Sequence, residues 1–126
     1  MRATEMTPHK ESNRIFEPTP EGLKALGELI FSIRRELGLK QGLGKELSRA
    51  AMLIEIQRTI RIGVAGAEAI FREPTLKNLE DGAVTPNVAL ISAIAAMRYD
   101  VPSAKNPASG RHWTSQELIR ISWCIS

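Results

Sequence analysis

Apolar residues in this chain recur at the three- and four-residue spacing of helices, and no run is rich in strand formers. The clearest segment opens at Pro20-Glu21 and sets Leu23, Leu26, Ile30, Ile33 and Leu37 on one face, with Gly38 placed to end it. Gly42 and Gly44 then break the chain. Leu43, Leu47, Ala50, Ala51, Ile54 and Ile60 predict an amphipathic helix over 43–62. Met52, Leu53 and Ile56 are apolar off that face, so the helix is expected either to be buried on two sides or to meet a second subunit. Gly63 and Gly66 make a loose join to Ala67–Arg72, a helical turn carrying Ala69, Ile70 and Phe71.

The next stretch differs in kind. Thr75–Gly82 reads T-L-K-N-L-E-D-G, a short helix of about two turns. Pro74 disfavours helical geometry at Glu73, and the Thr75 hydroxyl can cap the new N-terminus. Leu76 and Leu79 share a face, Lys77, Asn78 and Asp81 lie outside, and Gly82 can take the positive φ that ends a helix. So short and polar a helix between two hydrophobic ones is not needed by a bundle core. It is expected to fit into something.

From Thr85-Pro86 to about Arg98 runs a strongly apolar helix with Leu90, Ile91, Ile94, Ala95 and Met97 inward, stopped by Asp100-Val101-Pro102. Pro102–Arg111 reads as a linker by composition. Thr114-x-x-Glu117 has the pattern of a capping box ahead of Leu118, Ile119 and Ile121, with Trp113 and Trp123 flanking the last helix. A helix of that size must dock, on its own core or on a partner. Residues 1–20, polar and carrying Pro8, Pro18 and Pro20, are expected to form a flexible arm. The organisation is then 1–20 arm, 21–101 helical domain, and 102–126 linker with a C-terminal helix.

Composition narrows the function classes. The 126 residues suit one domain, and 43% hydrophobic with 25% charged is ordinary for a soluble globular protein. The net charge of +3 permits an anionic partner without requiring one. A lone cysteine, Cys124, cannot make an internal disulfide, and with His9 and His112 it has no metal-site spacing, so no metal or cofactor is expected. Val88–Met97 is half the length of a membrane helix, and the N-terminus has no signal segment; a cytoplasmic protein is expected. G-L-G-K at 42–45 lacks the phosphate-loop pattern and any strand before it. No nucleophile–base or carboxylate pair stands out, which argues against an enzyme.

Two pieces carry a resemblance. I-R-R-E-L-G-L-K-Q at 33–41 resembles the first helix, and its turn into the second, of the Xre/Cro-type helix-turn-helix repressors. T-L-K-N-L-E-D-G at 75–82, followed by A-V-T-P-N-V-A-L-I-S-A-I-A-A-M at 83–97, is similar to that family's recognition helix, its Glu-x-Gly exit, a proline-started fourth helix and a fifth. The resemblance implies an all-α, Cro-like five-helix DNA-binding domain with an inserted helix and a short C-terminal helix. The stretch between Gln41 and Thr75 is longer than the family has there. Either a helix is inserted after the first, or 43–62 is a new element and Arg61–Arg72 is the family's second helix; the latter is preferred. Ala65 and Ala69 would then face inward, with Phe71 under the turn.

The resemblance also assigns roles. Arg72, Glu73, Thr75 and Asn78 would face double-stranded DNA, Arg72 matching a guanine edge, Asn78 an adenine edge, and Glu73 a cytosine amine. Lys77 would touch the phosphate backbone. Arg34, near the end of the first helix, would pair with Glu80, which closes the recognition helix and lies at the edge of the core beside Leu79. The expected function is sequence-specific transcriptional regulation by a homodimer. The alternative is a protein-interaction module derived from the same fold, acting through the inserted and C-terminal helices.

Overall fold

The computed structural model describes residues 18–63, 71–83 and 85–123. Within them lie five α-helices and no strand: α1 (Pro20–Lys40), α2 (Arg49–Gly63), α3 (Glu73–Asp81), α4 (Val88–Met97) and α5 (Ser115–Ser122), with a single 3-10 turn at Pro102–Ala104. No helix among these residues is long and apolar enough to cross a membrane.

Helix α1 is the spine. Thr19 caps it by accepting the Gly22 amide at 2.9 Å, and Pro20 occupies the first turn, where a missing N–H costs nothing. Leu26, Ile30, Ile33 and Leu37 are buried along one stripe. Gly38, expected as the stop, sits inside the helix, which continues to Lys40. Its role is steric. The chain turns at Gly42 and Gly44, both at positive φ, and lies back on α1 so closely that a Cβ at Gly38 would overlap the Lys45 carbonyl.

Glycine serves the same end twice more on α1. At Gly22 the helix meets the α5 backbone at Ile121–Ser122, and at Gly27 it meets the α3 backbone at Leu79–Glu80. α3 and α5 therefore lie directly against α1.

Helix α2 corrects the expectation over 43–62. It begins at Arg49, not near Leu43, and among its described side chains Met52, Leu53 and Ile56 are buried. Much of the face expected to be buried points outward: Ala50 is exposed, Ile54 is 58% accessible and Leu43 is exposed in the preceding loop, although Leu47 is buried and Ala51 packs half-buried against the core. The other stripe is the one that reaches α3 and α4, so Met52, Leu53 and Ile56 complete the core of this chain and are not free for a second subunit. Of the expected second helix at 61–72, residues 61–63 belong to α2, Phe71 and Arg72 are not helical, and 64–70, with Ala65, Gly66 and Ala69, lie outside the described residues. The N-terminal arm lies outside them as well, apart from Pro18–Pro20.

Helix α4 starts three residues later than expected, at Val88, because Asn87 supplies the cap by accepting the Leu90 amide at 3.0 Å. It ends on Arg98 in the left-handed region, φ 49°. The 102–111 stretch is not a loose linker. Val101 and Ala104 are buried, Lys105 and His112 form an isolated antiparallel bridge, and Ser103 donates its amide and hydroxyl to Glu36 at 2.9 and 2.8 Å. The Thr114–Glu117 capping box forms with both bonds, and α5 docks on α1 and α4 with Leu118 buried. Helix and loop belong to the same packed body.

Tyr99 is buried, and its hydroxyl has no hydrogen-bond partner among the described residues. Burial, with the Glu55 carboxylate nearby, pushes the phenol well above its usual value.

Two outcomes follow for stability. Gly27→Ala should lower it by about 3 kcal/mol, since the methyl meets main chain that cannot swing aside. An unchanged denaturation midpoint would show that α1 and α3 do not touch there. Tyr99→Phe should raise it by about 1 kcal/mol by removing a buried, unsatisfied hydroxyl, and a loss in the same measurement would mean the hydroxyl is bonded in solution.

Candidate nucleic-acid interface

The site grows from one side chain of α1. Arg34 lies two turns beyond Gly27 on the same side of the helix, so the close contact that lets α3 approach also brings Glu80 within reach. Arg34 Nε donates to Glu80 Oε2 at 2.7 Å and Nη2 donates to Oε1 at 2.8 Å, a two-pronged fit of guanidinium to carboxylate. The remaining prong, Nη1, donates to the Leu47 carbonyl at 2.7 Å, while the Leu47 amide donates to the Arg34 carbonyl at 3.1 Å. Both charged side chains are buried, with 5% and 3% of their surface exposed. The Phe31 ring lies 5.2 Å from the guanidinium carbon and shields it from water.

A third residue joins them. Arg49, in the first turn of α2, donates from Nε and Nη2 to Glu80 Oε1 at 3.2 and 3.1 Å, with 29% of its side chain exposed. Two guanidiniums thus face one carboxylate, and α1, the 41–48 loop, α2 and α3 meet at a single group. Nothing in the sequence spacing marks Arg49. Gly27, a glycine amid a strongly periodic helix, was a visible signal for the close approach.

Held this way, α3 turns Leu76 and Leu79 into the core and its polar residues out. Its N-terminus differs from expectation. The helix begins at Glu73 with Arg72 at the cap position and no side-chain cap, and Pro74 and Thr75 both lie in the first turn, the Thr75 amide donating to the Arg72 carbonyl. The end matches a Schellman arrangement: Gly82 at φ 64°, its amide donating to Leu79, and the Ala83 amide to Asn78.

The five expected base- and phosphate-facing residues do share this one element and its approach. Arg72, Glu73 and Lys77 are exposed, while Thr75 and Asn78 are half-buried and line a cleft of about 240 Å³ with Thr85, Pro86 and Asn87. Lys77 is not free, however. Its ammonium donates to Asp81 at 2.7 Å and holds that carboxyl below the usual carboxylate range. The pair is therefore present at neutral pH and is lost only as pH falls through that lowered value. Arg72 and Lys77 against Glu73 and Asp81 leave this outer face without net charge.

No group of histidine, cysteine and acidic residues able to hold a metal exists among the described residues. No protein-family model, no curated protein and no solved structure matches this chain.

The cluster makes an unequal prediction for its members. Glu80→Gln leaves two guanidiniums facing a neutral amide and should cost about 3–5 kcal/mol. Arg34→Met leaves Glu80 with Arg49 and should cost less, and the double variant should fall short of the sum. Strict additivity in a double-mutant cycle followed by chemical denaturation would show that Arg34 and Glu80 do not interact in solution.

Proposed function

We propose that this chain is a Cro-like, sequence-specific DNA-binding regulator that places α3 in the major groove. The observation that supports it is the double anchoring of α3, by backbone contact at Gly27 and by the Glu80 carboxylate between Arg34 and Arg49. A helix of only nine residues has little stability alone, and here its attitude is fixed while its polar side stays open. Arg72 and Asn78 would read base edges, Glu73 and Thr75 would flank them, and Lys77 would lie against phosphate. The proposal includes a homodimer on DNA, two copies on two half-sites, with exposed Ile54 and Leu43 as its contact, and a cytoplasmic location beside its operator.

A second reading, that the fold serves as a protein-interaction module, is favoured by one observation: the outer face of α3 has no net charge. Against it, Met52, Leu53 and Ile56 of α2 and Leu118 of α5, apolar residues that such a contact would need on the surface, are buried within the chain.

The neutral face gives a discriminating experiment. Binding to mixed genomic DNA should weaken steeply as salt rises, in proportion to the phosphates neutralised. Asp81→Asn releases Lys77 and should strengthen binding at low salt. Lys77→Ala should weaken all sequences alike, and Asn78→Ala should cost about 1–3 kcal/mol at one base position only. Absence of binding at low salt would favour the interaction module.

A further inference from the structure

The side of α1 opposite the α3 contact carries a second site. Leu29 and Glu36, two turns apart, lie away from Gly27 and Arg34 and form one wall of an open cleft of about 780 Å³, whose other wall is the 100–113 loop. Val101, Pro102, Pro107 and Trp113 join Leu29 in making it largely apolar. Apolar walls with a few polar groups, at this volume, describe a small-molecule site.

The charges in the cleft are unequally satisfied. Asp100 is already paired: Lys40 reaches it at 3.1 Å, and Lys105, which lines the cleft, at 4.0 Å. These two ammoniums hold its carboxyl below the usual range. Glu36 has no such cation. Ser103 donates its amide and its hydroxyl to one oxygen, Oε1, at 2.9 and 2.8 Å. The other oxygen, Oε2, is not buried and has no hydrogen bond or ion pair among the described residues. Lys40, one turn further along α1, is turned to Asp100 instead. The carbonyl of the same Ser103 accepts the Trp113 indole N–H at 3.0 Å. One residue thus holds a carboxylate with an open oxygen and an aromatic ring with its N–H satisfied, both on the same cleft.

From this juxtaposition we propose that the cleft binds a small amphipathic amine, its ammonium on Glu36 Oε2 beside the Trp113 ring and its apolar body over Leu29, Pro102 and Pro107. A carboxylate attracts an organic cation by a charged hydrogen bond, and an aromatic ring attracts it through its π-face. An extended peptide finds less to hold it. The Ser103, Lys105, Asn106, Gly110 and Trp113 amides all donate within the chain, and Pro102 and Pro107 have no N–H, so main-chain pairing has few donors to use. An anionic ligand would meet Glu36 with repulsion. The proposal does not depend on α3 binding DNA.

The test titrates the full chain with phenylbutylamine, phenylbutanol and phenylbutyrate, three probes that share one apolar body and differ in charge. Binding is read by calorimetry and from the Trp113 indole N–H resonance, identified by its absence in Trp113→Phe. The amine should move that resonance saturably and bind roughly tenfold more tightly than the alcohol, the difference expected of one hydrogen bond to a charged group. The carboxylate should bind most weakly. Glu36→Gln, which keeps an acceptor for Ser103, should bring the amine to the level of the alcohol. Should that variant misfold, the three probes on the wild type decide alone. An amine that leaves Trp113 unmoved, an alcohol that binds as well, or amine binding unchanged in Glu36→Gln overturns the proposal. So does a lysine-bearing peptide that moves Trp113 where the amine does not, which would assign the cleft to a basic segment of a partner protein.

Discussion

The buried carboxylate of Glu80 is the constraint to which the arrangement of the helices answers. Removing an ion from water costs several kcal/mol, and attraction offsets that only when geometry is good and the donors are satisfied. Here the carboxylate receives four hydrogen bonds from Arg34 and Arg49, and the third prong of Arg34 finds the Leu47 carbonyl. Together these bonds tie α1, α2, α3 and the 41–48 loop to the same point. If α3 rotated, if the 41–48 loop lifted or if α2 slid, one charge would lose its partner away from water. The apolar core alone imposes no such penalty, because Leu and Ile faces tolerate small slides.

Close packing makes that geometry reachable. The guanidinium meets the carboxylate because α3 rests on α1 at Gly27, and Gly82 brings the end of α3 against the Leu23 backbone. Helix α3 is thus pinned along its length on one side only. Its other side keeps Arg72, Glu73, Lys77 and Asp81 in water. Phe31 plays a quieter part, its ring lying over the Arg34 guanidinium.

Much of this was legible in the sequence, and the failures have physical reasons. The buried stripe of α1, the Gly82 exit and the Thr114–Glu117 capping box depend on local chemistry, and local chemistry is what a single sequence reports. Pairing Arg34 with Glu80 needed the resemblance as well, because no local rule joins residues so far apart. The face of α2 was inverted because the helix carries apolar residues on two sides: Ile54 and Met52 look alike until α3 and α4 choose between them. Gly38 misled for a related reason. A glycine near the end of a periodic run commonly ends a helix, but it also admits a neighbouring backbone, and only the tertiary fold shows which. The 102–111 stretch has the composition of a linker, yet its polar groups find partners in Glu36, Trp113 and one another. Arg49 gave no sign at all, since its partner lies in another helix.

The glycine contacts on α1 bear on how such a protein could vary over time. Where helices pack through side chains, their separation follows side-chain volume, and each exchange of Leu for Val or Met shifts the axes slightly. Where main chain meets main chain, as at Gly22, Gly27 and Gly38, the separation is set by atoms common to every residue. The core between these points can therefore drift in composition without moving α3, α5 or the 41–48 loop relative to α1. Volume-conserving exchanges at Leu26, Ile30 or Ile33 would leave the helix separations in place, whereas the three glycines are held by main chain alone.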